Sequence, residues 1–446
     1  EVLLVDESPL PGGQIYAQPP PTLAFTALKK EQQRGRKLIA ALKDHGIQLL
    51  SDTLAWAALP EKTIAICHEG RSSTIQAGAL IVAAGATEYV APFPGWTLPG
   101  VMTAGGAGRL VRTQGLLPGD RIVVSGSGPQ LLVTAVELLA AGSEVVAVCE
   151  SSLSPISGLI RHLPAFFGHP EYLVTGISLL MSLLRARVPY LAGQAVIAAH
   201  GSEGVSSVTV KRLDRNGLPI DGTEQSMEVD TVCVNHGFLP SYQLLGMLGC
   251  RIHSMENHGT WVPWRDQNMQ TSVEGVFAAG DCAGIGGVEI ALAQGRLAGV
   301  KAAEYLGYRT TPETEPMARH EHNRMARMVR LRKALEDVYR SVPGSTSLAT
   351  DDTIICRCEE VTLGKIDEAI AGGAADLNQI KHWTRAGMGP CQGRYCQATI
   401  AARYLAKTGK ELPEESLEPC DGPIPFTARP PVKPIPLEVL ARAGAE

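Results

Sequence analysis

Four of the ten cysteines fall in two tight pairs, Cys356-Arg-Cys358 and Cys391-Gln-Gly-Arg-Tyr-Cys396. Any fold of this segment has to present two short loops, each carrying a pair of thiols. A [2Fe-2S] cluster takes two thiolates on each iron, so two close pairs are a natural supply. Gly387, Gly389 and Gly393 crowd the second pair. Small residues there let backbone N–H groups approach sulfur and raise a reduction potential by stabilising negative charge. Structural zinc also takes four cysteines, although Cys-x-Cys is less typical of it, and chance placement is a third reading. Spacing alone favours iron–sulfur and leaves the other two open.

Cys67, Cys149, Cys233, Cys250, Cys282 and Cys420 are scattered singly. That reads as reduced thiols of a cytoplasmic protein, associated with a membrane only through a complex, and not as a disulfide framework. A net charge of −5 over 446 residues offers no basic surface for a nucleic acid. No uninterrupted apolar run reaches the ~20 residues of a membrane span, so no transmembrane segment is expected. There is no signal peptide, and the sequence opens on Glu1 without an initiator methionine, so the expectation is that the true start lies upstream.

Elsewhere apolar strand-like runs alternate with helical patterns. Residues 1–7 (EVLLVDE), 78–85 (GALIVAAG), 121–125 (RIVVS) and 276–281 (VFAAGD) read as buried strands. Residues 24–46 and 287–306 read as helices. The pattern predicts an α/β protein with two interleaved Rossmann-like domains, each a parallel sheet covered by helices on both faces. The expected divisions are 1–105 for the first part of a dinucleotide-binding domain, 106–235 for a second such domain and 236–312 for the return to the first. A charged linker helix at 313–350, a small helical cysteine domain at 351–412 and a proline-rich tail at 413–446 follow. The linker helix, centred on 316–342, carries Arg319, Arg324, Arg327, Arg330, Arg332 and Lys333. It reads as solvated, with a partner-docking face as the alternative. The tail is expected to lie extended over another surface.

A dinucleotide fold needs a glycine turn after its first strand and an acid ending its second, ~20 residues later, for the ribose. Residues 1–7 look like that second strand, with Glu7 as the acid and the glycine turn upstream of the sequence. Gly13 and Gln14 follow in a turn, Gly85 closes residues 78–85, and Gly280-Asp281 closes residues 276–281. Asp281 is suited to a ribityl or pyrophosphate-side hydroxyl, and the helix after it would aim its positive end at the ligand. The second site, residues 124–130 (VSGSGPQ), offers Gly126 and Gly128, and Glu150 ends the next strand. Leu131 stands where glycine or alanine normally permits close helix–strand packing. That weighs against tight NAD binding and toward a structural or regulatory domain, and Glu150 would disfavour the 2′-phosphate of NADP. No Cys-x-x-Cys pair exists anywhere in the sequence, which makes thioredoxin-reductase-type disulfide chemistry unexpected.

Other residues draw the eye. His236 reads as a packed loop residue with cofactor contact as the alternative, Cys282 as a buried small residue, and Phe166-Phe167 as an aromatic core cluster with a partner- or substrate-facing alternative. Arg357, Lys381, Arg385 and Arg394 put positive charge beside the cysteines, to favour a reduced centre, to dock an acidic carrier, or simply as solvated side chains.

Glu7, Gly12-Gly13-Gln14, residues 84–88 (AGATE) and Gly280-Asp281 resemble the two-dinucleotide-domain flavoproteins of the pyridine nucleotide–disulfide reductase superfamily over roughly 1–310. That resemblance implies FAD, or another adenine nucleotide, in the first site. Residues 356–362 (CRCEEVT) and 384–396 (TRAGMGPCQGRYC) resemble the bacterioferritin-associated-ferredoxin-like [2Fe-2S] domain, which implies Cys356, Cys358, Cys391 and Cys396 as ligands. One departure is the longer spacing of the second pair, which bears on Cys396. The order of the two parts resembles the larger (α or B) subunit of heteromeric dye-linked dehydrogenases, a group that includes opine, proline and D-hydroxyproline dehydrogenases and hydrogen cyanide synthase. The resemblance implies an electron-transfer subunit with no catalytic acid or base of its own. Its partners would be an FAD-containing catalytic dehydrogenase subunit, a small third subunit, and a quinone or carrier protein as acceptor. The alternatives are a self-sufficient NAD(P)H-dependent ferredoxin-type reductase and a purely assembly role.

Overall fold

The computed structural model describes residues 1–20, 30–153, 155–255, 260–309, 311–312, 314–339, 347–410 and 425–442. Its centre is a five-stranded, all-parallel sheet in the order Tyr190–Ala192, Glu144–Glu150, Arg121–Gly126, Thr231–Asn235 and Val101–Thr103. Successive side chains of a strand point to opposite faces. Val123, Ala147 and Val232 therefore join one buried cluster, while Ile122, Val124 and Cys233 join another. Helix Pro129–Ala141 covers the second face through Leu131, Leu132, Ala135 and Leu138. The other face is covered by an antiparallel three-stranded sheet, Gln194–His200, Ser207–Arg212 and Gln225–Glu228, through Val196, Val208 and Val210. Burial on both faces is why residues 122–124 read as a continuous apolar run.

The chain reaches this domain and leaves it through one antiparallel pair, Ala86–Glu88 with Phe238–Pro240. The Glu88 carboxylate fixes the crossing. It accepts from the Gly105 and Gly106 N–H groups at 2.7 and 3.2 Å and from Asn235 Nδ2 at 2.6 Å. Around the crossing, Leu3–Val5 pairs in parallel with Gln48–Leu50, and Leu80–Val82 with Val276–Ala278. The expected first parallel sheet is thus present as two separate pairs, because among the described residues no ladder of hydrogen bonds joins them. An antiparallel meander, Thr53–Leu59, Thr63–His68 and Arg71–Gln76, lies beside them. The first helix runs over Lys30–Asp44, and 24–29 of the expected span lie outside the described residues. Gly35 in this helix is required by close approach, since a Cβ there would meet the Tyr16 Cβ at 2.8 Å.

The charged linker is helix Thr314–Val338, and the solvated reading of it needs correction. Glu321, Met328, Leu331, Ala334 and Val338 are buried on one face. Met328 and Leu331 pack with Phe166, Ile290, Leu159 and Tyr172, so the helix bridges the Val288–Tyr305 helix and the second domain. Ion pairs Arg296–Glu321 at 2.7 Å and Arg324–Glu289 flank this contact. Phe166 is core, but Phe167 is 80% exposed, so only half of that aromatic pair is packed. Residues 340–346, which include the expected end of this helix, lie outside the described residues. Among the described residues no helix is long and apolar enough to cross a membrane.

Leu331, 1% exposed, separates the two views of the linker. Leu331→Ala is expected to cost about 2–5 kcal/mol in urea unfolding, whereas Val329→Ala, on the exposed face, should stay within about 0.5 kcal/mol. Equal small effects would return the helix to a solvated linker.

Candidate functional site

The cysteine domain is a short antiparallel pair, Ile354–Cys356 with Val361–Thr362, followed by helices Leu363–Ala371, Leu377–Thr384 and Gln397–Thr408. Two helix starts are written locally. Thr362 Oγ1 accepts from the Lys365 N–H, and Asp376 Oδ1 accepts from the Gln379 N–H at 2.8 Å. Ile355, Leu363, Ile366, Leu377, Ile380, Ile400 and Tyr404 form its core. Cys356 leaves the strand edge, Cys358 follows in the turn, and Cys391 lies in the loop before the last helix, which Cys396 caps.

The four thiols approach one another crosswise, in two pairs. Cys396 is hydrogen-bonded to Cys356, and Cys358 to Cys391, so each contact takes one sulfur from each sequence pair. Cys356 and Cys396 are buried, Cys391 is half-buried and Cys358 is exposed. The bond from Cys396 is the main cause that pulls the Cys356 thiol down to about 6, against burial, with help from the Gly387, Glu359 and Cys358 N–H groups. Cys396 is pushed well above its ordinary value, first by that same bond, then by burial and by the other three sulfurs. Burial first, then Cys358, also pushes Cys391 up, while the Tyr395 and Gly393 N–H groups oppose this. The crosswise thiols and the amide N–H groups directed at Cys356 and Cys391 are the donor chemistry an iron–sulfur centre uses, although among the described residues no group of three or more His, Cys, Asp or Glu is drawn together closely enough to hold a metal ion. Cys396, on which the longer second pair bears, is buried, as is Cys356.

The glycines do specific work there. A Cβ on Gly389 would collide with the Cys358 Cβ, and one on Gly387 or Gly393 would collide with the Phe426 ring. Phe426 comes from the tail and belongs to the cysteine domain's own core. Its N–H donates to Gln397 Oε1 at 3.1 Å, and Gln397 Nε2 donates to the Tyr242 hydroxyl at 2.8 Å. Tyr242 and Trp261, both from the α/β body, complete this core. Trp96 Nε1 donates to the Ile354 carbonyl at 2.6 Å, and Arg357 lies over the Trp96 ring. The tail then runs on extended to Val432, whose N–H donates to the Trp56 carbonyl at 2.8 Å, and ends in a short helix, Leu437–Arg442. Tyr242, Trp261, Gln397 and Phe426 carry no sequence signal of their own, because their role is contact between distant segments.

The positive residues divide. Arg394 Nη1 donates to the Cys391 and Val432 carbonyls at 3.1 and 2.7 Å, and burial lowers its pKa. Arg385 is paired with Glu359 at 2.9 Å, and Lys381 lies over the Phe426 ring with its pKa lowered by burial.

For the first nucleotide site, Gly85 and Gly280 hold φ of +69° and +78°, a region open to glycine, and nothing lies within 4 Å of where a Gly85 Cβ would stand. Asp281 Oδ1 accepts from the Gly286 and Gly287 N–H groups at 3.0 and 3.1 Å, directly before helix Val288–Tyr305. This glycine-lined edge and helix start fit a nucleotide. Glu7 is exposed and ion-paired with Lys433 of the tail. Gly13 has φ +57°, and Gln14 Oε1 accepts from Arg109 at 3.2 Å. His236 accepts the Ala91 N–H at Nδ1, and burial pushes its pKa down to about 4. Burial pushes the Cys282 thiol up to about 11, and it donates to backbone carbonyls.

The second site, where the sequence weighs against tight NAD binding, is closely packed. Gly126 is locked against the Asn235 carbonyl, Gly128 has φ +106°, and Leu131 is fully buried beneath its helix. Glu150, expected at an open ribose position, is fully buried. Its two oxygens accept from the Gly128 N–H at 3.0 Å and the Ser152 N–H at 2.9 Å. Burial raises its pKa despite those bonds.

Residues 1–304 match the family described as pyridine nucleotide-disulphide oxidoreductase, and residues 354–406 match the BFD-like [2Fe-2S] binding domain. The chain belongs to the pyridine nucleotide-disulphide oxidoreductase family. Within that family it is similar to an opine oxidase subunit of Rhizobium meliloti (strain 1021), at 34% identity over 99% of this chain and 93% of that one. It also matches hydrogen cyanide synthase subunit HcnB of Pseudomonas aeruginosa, at 30% identity over 96% of this chain and 92% of that one. The crystal structure of L-proline dehydrogenase from P. horikoshii shares its fold, with TM-score 0.64 and 20% identity over 99% of this chain and 74% of that one. Membership makes the chain an oxidoreductase and implies FAD for the α/β body and a [2Fe-2S] cluster for the C-terminal domain.

Gly389→Ala is expected to strip most of the iron from the purified protein while its flavin absorbance stays. Gly373→Ala, at φ +96° with open space around it, should cost about 1–2 kcal/mol of strain and keep the iron. Full iron in Gly389→Ala would mean that the glycine does not shape the cysteine loops.

Proposed function

We propose that this chain is the electron-transfer flavoprotein/iron–sulfur subunit of a heteromeric FAD-dependent dehydrogenase acting on amine C–N bonds of an amino acid, an opine or glycine. In this reading Cys356, Cys358, Cys391 and Cys396 are the metal ligands, and Gly13, Gln14, Gly85, Gly280 and Asp281 border the flavin. Bound FAD and [2Fe-2S] supply two-electron and one-electron carriage. An FAD-containing catalytic partner subunit, with a small third subunit, would oxidise the substrate, and a quinone or carrier protein would accept the electrons.

The observation that carries this reading is the seat of the cysteine domain. Tyr242 and Trp261 of the body share one core with Phe426 and the last helix, so the thiol loops are held at a fixed place against the flavin-binding part. Electron transfer needs such fixed proximity and asks for no acid or base, which agrees with the buried, bonded states of His236 and Cys282. The relatives are themselves named as subunits, which supports a partner. The self-sufficient reductase reading needs an open second nucleotide site, and the burial of Glu150 opposes it.

Anaerobic protein should hold its oxidised flavin spectrum on addition of NADH and lose it with dithionite. Cys358→Ser and Cys391→Ser should each lose the iron–sulfur absorbance and retain flavin. Prompt bleaching by NADH would make the chain a reductase in its own right.

A further inference from the structure

In a dinucleotide fold the acid ending the second strand binds a ribose hydroxyl, and the glycine turn and helix start before it receive the pyrophosphate. Here that mouth is filled by the chain itself. Ser127, between the two motif glycines, donates from Oγ to the Tyr339 carbonyl at 2.9 Å, and its Oγ also meets Ser152 Oγ at 3.3 Å. Tyr339 follows helix Thr314–Val338 directly. Burial, and then the charge of Glu150, push its phenol up to about 12. Tyr190, on the strand beside Glu144–Glu150, is raised by the same two causes in the same order. Glu150 thus has two tyrosines close enough to feel its charge, and its own oxygens are turned to the Gly128 and Ser152 N–H groups that a nucleotide site would keep for its ligand.

The helix that delivers Tyr339 is anchored along its length. Val338 lies against Gly158, where a Cβ would come within 3.2 Å of the Val338 Cα. Asp337 faces His162 at 3.5 Å, and Leu331 and Met328 pack on Phe166. An open nucleotide site would leave the acid in water, and a merely degenerate one would have no reason to order a distant segment across its mouth.

We propose that the second dinucleotide domain is a receptor for the chain's own linker, with Tyr339 and the end of helix Thr314–Val338 occupying the mouth that a pyridine nucleotide would need. The domain's retained fold then serves to fix the linker that leads to the cysteine domain. Its seat closes the chain to NAD(H) whichever partner delivers electrons.

Hydrogen–deuterium exchange on the flavin- and cluster-loaded protein tests this. Peptides covering 126–131 and 150–153 should exchange slowly in wild type, and a large excess of NADH should leave them unchanged. Tyr339→Ala should speed exchange in both peptides about tenfold, with peptides around 397–408 unaffected and the iron–sulfur spectrum intact. Both variants keep the backbone carbonyl that Ser127 bonds, so Tyr339→Phe, which also keeps the ring over the mouth, should behave as wild type. Protection of these peptides by NADH in wild type, or unchanged exchange in Tyr339→Ala, would overturn the proposal.

Discussion

Two sulfur pairs drawn together crosswise, Cys356 with Cys396 and Cys358 with Cys391, are the constraint around which the C-terminal part of the molecule is built. As free thiolates they would repel one another, and burial of Cys356 and Cys396 sharpens the conflict. The structure meets it with a crosswise pairing that mixes the two sequence pairs, and with N–H groups from Gly387, Gly393, Glu359 and Tyr395 directed at sulfur. Glycine at 387, 389 and 393 follows from that crowding, because any Cβ would strike Phe426 or Cys358. The [2Fe-2S] cluster that the domain family implies is the kind of group that would take up the remaining negative charge.

The rest of the chain fixes that arrangement against the flavin-binding body. Phe426 fills the space beside two of the glycines, and Gln397 ties its backbone to Tyr242. The tail continues to Trp56, and Lys433 reaches Glu7 at the end of the first strand. On the other side the linker helix packs on the body and ends over the second domain's glycine turn. The small domain is therefore held from both of its chain ends, which suits a carrier of electrons better than a mobile shuttle.

Much of this was legible in the sequence where the signal is local. The apolar run at 122–124 with Gly126 behind it marks a parallel strand and turn, and the cysteine pairs with their glycines mark the two thiol-bearing loops of a BFD-like domain. What was not legible depends on contacts across long separations. The same Gly126, Gly128 and Glu150 pattern describes an open nucleotide site and one closed by Tyr339, because the difference lies in a segment about two hundred residues away. Charge dominated the reading of the linker helix, although Met328, Leu331 and Val338 already recur at helical spacing. Phe426 sits in a proline-rich stretch with no periodicity, so nothing near it announces a seat beside the cysteines.

The most direct test of the central claim is metal analysis joined to electron paramagnetic resonance on anaerobically purified protein. The account predicts about two irons per chain with matching acid-labile sulfide, and a paramagnetic signal that appears when one electron is added and vanishes in Cys356→Ser and Cys396→Ser. Stoichiometric zinc with no such signal would contradict it, and would leave the four cysteines a structural clasp with no part in moving electrons.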